Sequence, residues 1–532
     1  MSQQHWADKL AEKIIEERGD KERYVFNFGM SLSGMMHIGN MRGELLIPSR
    51  VKRILENQGK EVEFKGVFYT QDRFKGKDGQ LNEFEDPEEA EKYTGWRLID
   101  VPDPKGCHDN WPEHFNSENQ PYFHRFGIEA DPIDTHEFYR MEETKKLVRT
   151  FLENKEKARK IINKYRKRNP HPEGWIPFDP ICDECNRIDK TEALEIDFER
   201  GKVKYRCKAC GDEGWSDIEK GKLSWRLEWA ALWHVLRIDF EPYGKDHATP
   251  GGSRDSCIAI CKEFGLNYPA GFAYNWVYWK SDGDVKTMTS SGRRGLTPRQ
   301  FLDIGDPEVL SYLYLSTKPM KEIYFDIDEL STYYRRFDTA EAIYFGEKEA
   351  RTEKREKNMR RNYELAVNEV PEERPMRVSY DTCAFVAQLT DKDGKSLEML
   401  KEMDLVPEEI SKEEREKILQ RLKRARNWVK NHEPKDQVIQ VQEEVTSDAR
   451  EKLSEDQVEM LRKLREELKT KEWNADELQN RIYQFKEETS LSAGEVFRAI
   501  YIVLLDDKSG PRAGQLIKAI GQGRVADLLD QL

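Results

Sequence analysis

The order of apolar and polar residues divides the chain into an alternating half and a helical half. Residues 24–28 (YVFNF) read as a strand, followed by a loop of small residues over 29–36. From about 39 to 57, Leu46, Ile47, Val51, Ile54 and Leu55 recur at helical spacing, and Pro48 is expected to kink the first turns. Residues 61–70 (EVEFKGVFYT) form the next strand. A strand, a helix and a strand in succession predict a parallel sheet with its ligand at the carboxyl ends of the strands. The alternation lapses over about 75–220, where polar and loop-forming residues dominate, so this stretch is expected to be an insertion. It resumes with a strand-like 237–240, a helical 255–264 and a strand over 271–280 (GFAYNWVYWK). Thr297-Pro298 then starts a helix, with Thr as N-cap and Pro in the first turn. Beyond about 340 the strand signal disappears. Residues 412–432, 455–468, 475–488 and 492–505 show helical periodicity with short connections.

Composition narrows the setting. A chain of 532 residues is expected to hold two to four domains and to bury real cores without disulfide staples. It is 37% hydrophobic and 36% charged, and no apolar run is long enough to cross a membrane. The first 24 residues read as an amphipathic helix with no signal-peptide core, which places the chain in the cytoplasm and off the membrane. The net charge of −13 does not suggest a nucleic-acid binder, although local patches decide that question. The Lys/Arg clusters at 157–168, 293–299 and 351–361 each read as solvated helix faces.

Half of the eight cysteines form two Cys-x-x-Cys pairs. Cys182, Cys185, Cys207 and Cys210 match two knuckles of a closed tetrahedral zinc site, which is structural because no coordination position is left open. Asp103, Cys107, His108 and His114 fall within PDPKGCHDNWPEHF and offer a second ligand set. On spacing alone, a satisfied polar loop is an equal reading of that segment.

Three further segments carry chemistry. The turn His37-Ile38-Gly39-Asn40 lies between the first strand and its helix, where free backbone N–H groups and the helix dipole attract phosphates. Gly39 allows close backbone approach, and His37 and Asn40 can donate to developing negative charge. By itself the turn reads better as a surface turn with an incidental His. Lys286-Thr287-Met288-Thr289-Ser290-Ser291-Gly292 follows a strand and combines hydroxyls with nearby cations, which suits a loop over a triphosphate. Gly244-Lys245-Asp246-His247, followed by Gly251-Gly252, joins a strand to a helix where a doubly wound sheet binds ligands. Asp246 can accept hydrogen bonds from ribose hydroxyls or from an ammonium group.

The HIGN turn and the KTMTSSG loop, about 250 residues apart, together resemble the HIGH and KMSKS motifs of class I aminoacyl-tRNA synthetases. GKDH with GGSRD, FGMSLSG before HIGN, WRLEW at 225–229 and the ending GPRAGQLIKAIGQGRVADLL narrow the resemblance to the class I lysyl-tRNA synthetases, over the whole chain. The resemblance implies a ligase that charges tRNA(Lys) with L-lysine through a lysyl-adenylate, using ATP with Mg²⁺. It implies ATP contacts at His37, Gly39, Asn40, Asp246, Lys286, Met288, Ser290 and Ser291, with His37, Asn40, Lys286 and Ser290 acting on the transferring phosphoryl group. It implies a lysine pocket lined by Gly29, Ser31, Trp225, His247 and Tyr274, to which Glu228 and Asp246 are added as candidate carboxylates for the ammonium. Trp225, Trp229 and Trp233 also fit a core stripe on one helix, and at least one of them is expected to be core. Thr287 and Ser290 stand where the motif has lysines, so Lys286 or Arg293 is expected to supply the charge. The resemblance also raises Asp103, Cys107, His108 and His114 to a second structural zinc site.

The fold class expected is α/β. Residues 1–74 and 221–335 form a doubly wound, Rossmann-like parallel-sheet catalytic domain. Residues 75–220 form an inserted acceptor-end domain with the zinc sites. Residues 336–532 form an all-helical anticodon-binding domain, in which Phe497, Arg498, Tyr501 and Arg512 are candidates for stacking on bases. Oligomeric state is left open. The rival readings are a class I synthetase for another amino acid such as glutamate, which would want an Arg in its pocket, and a catalytically degenerate zinc-ribbon RNA-binding protein. A small-substrate adenylyltransferase would leave the helical domain unexplained.

Overall fold

The structure, a computed structural model, describes residues 4–281, 283–290, 294–433 and 438–532. Its first unit is built on the strand β1 (Arg23–Met30), preceded by helix α1 (Trp6–Arg18). Tyr24, Phe26 and Phe28 of β1 are buried. β1 pairs in parallel with β2 (Glu61–Phe68) along its full length, from Arg23↔Glu61 to Met30↔Phe68. β3 (Asp131–Asp134), β4 (Phe240–Gly244) and β5 (Ala270–Tyr274) complete a five-stranded parallel sheet of order β5-β4-β1-β2-β3. The chain winds outward from β1 to β3 and then returns to the other side of β1. A crevice therefore opens beyond the carboxyl ends of β1 and β4, the switch point of a doubly wound sheet.

The segment after β1 departs from a single kinked helix. A turn over Ile38–Asn40 leads into a π-helical turn over Met41–Leu46 and then into α2 (Ile47–Glu56). The wide turn ends just before Pro48, which falls in the first turn of α2, where its missing N–H costs nothing. The buried Arg42 of the π turn donates to the carbonyls of Asn275 (2.9 Å) and Lys318 (3.0 Å).

Helix α3 (Trp225–Val235) ends with Arg237 at φ 57°, so the strand begins at Phe240 rather than at 237. α4 (Ser253–Phe264) follows β4. The single strand expected over 271–280 is two. β5 ends at Tyr274, and Val277–Ser281 joins a separate sheet with Asp284–Thr287 and Ile323–Asp326. Asn275 makes the switch, because its backbone N–H is drawn to Pro319 O (2.9 Å) and its amide to Met320 O (3.1 Å).

The expected insertion also contributes to the central sheet. β3 lies inside it, and Glu142–Glu153 and Lys155–Tyr165 share an apolar core with α3 and α4. Asp-Pro-Ile-Asp is a short edge strand without apolar alternation, so its pattern does not reveal it. Beyond it, Thr191–Asp197, Lys202–Cys207 and Glu213–Asp217 form a three-stranded antiparallel sheet.

The second unit comprises Leu302–Asp306, Ile327–Lys348 and Pro371–Leu532, while Glu349–Val370 belongs to the first. The boundary expected at 335/336 falls inside the helix Leu330–Tyr344. Among the described residues no strand follows Ile323–Asp326. Capping boxes start three of its helices, with Ser411 and Glu414, Ser454 and Gln457, and Ser492 and Glu495 as the paired side chains. No helix among the described residues is long and apolar enough to cross a membrane.

Candidate active site

Two walls meet at the switch point. The first is the turn that follows β1. His37 N donates to Asn40 Oδ1 (3.1 Å), Ile38 N to Leu296 O (2.8 Å), and the Tyr314 hydroxyl to Ile38 O (2.9 Å). His37 is buried, which lowers its pKa to about 4 and leaves the imidazole neutral at pH 7. Its Nδ1 is buried without a hydrogen-bond partner among the described residues. A Cβ on Gly39 would lie 2.9 Å from His37 Nδ1 and 3.0 Å from Met288 Sδ, so only glycine fits between them. The two motifs distant in sequence thus touch through Met288, which is itself buried. Thr289 and Arg294 exchange backbone hydrogen bonds of 3.1 Å and close the loop. Ser290 lies half-buried within it, whereas Ser291 and Arg293 lie outside the described residues. Lys286 sits on the exposed strand Asp284–Thr287, with its ammonium 3.0 Å from Asp284.

The second wall is an aromatic and acidic pocket. A Cβ on Gly29 would lie 2.6 Å from the Tyr69 hydroxyl, so glycine at the end of β1 admits that ring. Tyr274, at the end of β5, lies over Gly43, where a Cβ would meet its ring at 2.3 Å. Its hydroxyl donates to Glu44. Trp225, Trp229 and Trp233 line up along α3, with ring centroids 5.2 and 4.8 Å apart in succession. Trp229 and Trp233 are buried and Trp225 is half-buried. Their buried positions do more than pack. Trp229 Nε1 donates to Glu241 Oε1 (3.1 Å), and the Trp233 indole N–H donates to its other oxygen. The His247 ring lies 5.2 Å from Trp229, with Nδ1 2.6 Å from Ser253 Oγ and Nε2 3.4 Å from Asp246. Ser31 is half-buried in the loop after β1.

Burial, reinforced by the charges of Glu241 and Asp246, raises the Glu44 carboxyl to about 8, against the opposing hydrogen bond from Tyr274. Burial likewise raises Glu241, which its indole donors and Arg254 partly offset. The acidic neighbours of Glu44 push its pKa the same way as burial. Such a pocket stabilises an entering cation.

Two ligand clusters lie in the first unit. The sulfurs of Cys182, Cys185, Cys207 and Cys210 are within 4.8 Å of one another, with Cys182–Cys210 at 3.5 Å and Cys185–Cys207 at 3.6 Å. Tetrahedral zinc–sulfur bonds of about 2.3 Å set sulfurs about 3.8 Å apart, so the four thiols fit that ion. Asp103, Cys107, His108 and His114 converge equally closely. Cys107 Sγ is 3.1 Å from His108 Nδ1 and 3.4 Å from His114 Nδ1, and Asp103 Oδ1 is 3.0 Å from His114 Nδ1.

A family model described as tRNA synthetases class I (K) matches residues 4–369, and one described as an anticodon binding domain matches 435–531. The chain belongs to the class I (K) tRNA synthetases. It is 39% identical to the lysine–tRNA ligase of Aeropyrum pernix over 99% of this chain and 97% of the relative. It is 33% identical to the lysine–tRNA ligases of Methanocaldococcus jannaschii (97% and 98%) and Pyrococcus horikoshii (98% of each).

Within this class I synthetase the structure redistributes some of the residues named from sequence. His37, Gly39, Asn40 and Met288 come together, as do Gly29, Tyr274, Trp225, His247 and Asp246. Glu228 does not join them. It is fully buried on α3, where Tyr139 donates to its Oε1 (2.9 Å) and Lys222 lies 3.0 Å from Oε2. Lys222 also reaches Asp72 at 2.6 Å, so Glu228 belongs to a structural ion cluster. The carboxyl groups that line the pocket are instead those of Glu44 and Glu241. Glu44 lies on the π turn that interrupts the helix expected from about 39 to 57. Glu241 falls one residue after the expected strand 237–240.

Proposed function

We propose that the pocket receives the ε-ammonium of L-lysine at Glu44 and Tyr274, with Glu241 behind them, and that the enzyme charges tRNA(Lys) with this amino acid. The observation that carries the reading is a pair of carboxylates, Glu44 and Glu241, set among tyrosine and tryptophan rings at the switch point. An ammonium gains from carboxylates and ring faces, and its aliphatic stem gains from the rings of Trp225 and Trp229. A glutamate substrate would instead place its carboxylate beside Glu44. ATP lies on the His37–Asn40 turn, with Mg²⁺ as its counterion. Neutral His37 and the amide of Asn40 donate hydrogen bonds to the α- and β-phosphates, and the loop containing Met288 and Ser290 covers the triphosphate.

The lysine carboxylate attacks the α-phosphorus in line. A carboxylate oxygen–phosphorus bond forms, the bond to the β-phosphate bridging oxygen breaks, and pyrophosphate leaves. The carboxylate is already ionised, so no general base is required, and catalysis rests on positioning and charge stabilisation. A 3′-terminal hydroxyl of the tRNA then attacks the acyl carbonyl and releases AMP. The parts of residues 75–220 outside the central sheet receive the acceptor end, and the second unit receives the anticodon. Zinc at Cys182, Cys185, Cys207 and Cys210, and at Asp103, Cys107, His108 and His114, would staple loops of the first unit and take no part in the chemistry.

The test is amino-acid-dependent ATP–pyrophosphate exchange in the presence of tRNA(Lys). Exchange is expected with lysine. Exchange with glutamate and none with lysine would overturn the assignment, and none with any amino acid would favour a degenerate RNA-binding protein.

A further inference from the structure

The helical unit holds a cavity of about 270 Å³ outside the machinery described so far. Its walls come from the helix Tyr380–Leu389, the end of the helix Lys412–His432, and the segment around Pro511 and Gln515. Phe385 and Trp428 supply aromatic surface. The Trp428 indole N–H is already committed to Ile327 O at 2.9 Å, so this residue offers only its ring.

The polar end is built with a defined direction. Gln388 Nε2 donates to Glu433 Oε1 (2.7 Å), while Gln388 Oε1 accepts from Ile439 N. Both ends of the amide are spent, so Glu433 is held in one orientation. Its second oxygen, Oε2, is buried and receives no hydrogen bond from the described residues. A buried acceptor without a donor is costly and marks a place for an N–H-bearing ligand. The cavity is smaller than the roughly 300 Å³ at which clefts for drug-sized ligands begin. It has room for a single planar base. The family model for an anticodon binding domain includes Ile439, Pro511 and Gln515 of its lining.

We infer that this cavity takes one unstacked uracil of the tRNA anticodon, with its N3–H donating to Glu433 Oε2 and its face against Phe385 and Trp428. The assignment rests on the tRNA(Lys) reading above. Lysine codons are adenine-rich, so their anticodons present uracils, and RNA readers accept single bases splayed out of the stack. Uracil carries a lone ring N–H, whereas the N3 of cytosine has no hydrogen and would turn a lone pair toward the carboxylate.

The experiment uses the full chain at pH 8, where the Glu433 carboxyl, raised to about 7 by burial, is mostly ionised. Charging is measured on tRNA(Lys) transcripts carrying the native anticodon and each single uridine-to-cytidine change. The wild type is expected to lose about tenfold or more in kcat/KM at one position. Glu433→Gln is expected to raise KM for native tRNA, to lose most of the uridine-to-cytidine difference at that position, and to leave KM for lysine and ATP unchanged. A variant that loses activity equally on all transcripts overturns the inference. If Glu433→Gln does not fold, Phe385→Leu is expected to weaken tRNA binding in the same selective way. Binding of isolated anticodon stem–loops to the wild type is measured in parallel. Equal affinity for uridine and cytidine loops overturns the cavity assignment whatever the charging result. Failure of the wild type to charge tRNA(Lys) with lysine, with loop discrimination intact, overturns the proposed activity instead.

Discussion

Glu44→Gln isolates the charge that the proposed lysine pocket offers. In the empty site the Glu44 carboxyl titrates at about 8. An ammonium about 4 Å away gains about 4 kcal/mol at an effective dielectric of about 20. That gain lowers the carboxyl pKa by about three units, to about 5, so Glu44 is ionised in the complex at pH 7. In the free enzyme at pH 7 it is mostly protonated, and removing that proton costs about 1.4 kcal/mol. The net gain is about 2.6 kcal/mol, close to about a hundredfold in affinity. The sign follows directly. Below about pH 8 the free site holds a proton that the complex does not, so binding releases a proton and affinity rises with pH by up to about tenfold per unit. Above pH 8 the curve levels off. Glu44→Gln is therefore expected to weaken lysine binding by about a hundredfold at pH 7 and by about a thousandfold at pH 9, with a flatter profile between pH 6 and 8. Calorimetric titration with lysine, repeated in buffers of different ionisation enthalpy, reads both affinity and proton release. Wild-type affinity that stays flat from pH 6 to 8, together with unchanged affinity in the variant, would refute Glu44 as the ammonium partner.

Other consequences are equally specific. His37→Ala is expected to cut lysine-dependent pyrophosphate exchange by about a hundredfold or more while calorimetry shows lysine affinity intact, and undiminished exchange would remove His37 from the phosphate site. Gly39→Ala places a methyl group 2.9 Å from His37 Nδ1 and 3.0 Å from Met288 Sδ, so KM for ATP should rise in the same assay. Elemental analysis is expected to find two zinc ions per chain, falling to one in Cys207→Ser with a lower Tm; unchanged zinc would show that the four thiols do not hold it. Lys222→Met leaves Glu228 and Asp72 without their shared cation and is expected to cost about 3–5 kcal/mol of stability in urea denaturation. A stability loss near zero would show that the cluster is solvated.

Much of this enzyme is legible along the chain because its signals are local. A β-α-β pattern, a glycine in the turn between strand and helix, two Cys-x-x-Cys pairs and capped amphipathic helices each depend on residues close in sequence. They determined the fold class, the HIGN turn, the thiol cluster and the helical ending. Tertiary structure decided where side chains point and which charges share a space. Glu228 looked available beside Trp225, yet helical phase turns it to Lys222 and Tyr139, while Glu241 on the neighbouring strand receives the indole N–H groups of the same helix. Glu44 gained its place through a π turn, which shifts helical phase in a way no periodicity of 3.6 anticipates. β3 joined the central sheet without an apolar pattern because a short edge strand is recruited by its neighbour's backbone. The acidity of the pocket is likewise collective: Glu44 lies far in sequence from Glu241 and Asp246, and only the switch point of the folded sheet brings the three carboxyl groups close enough to act on one another.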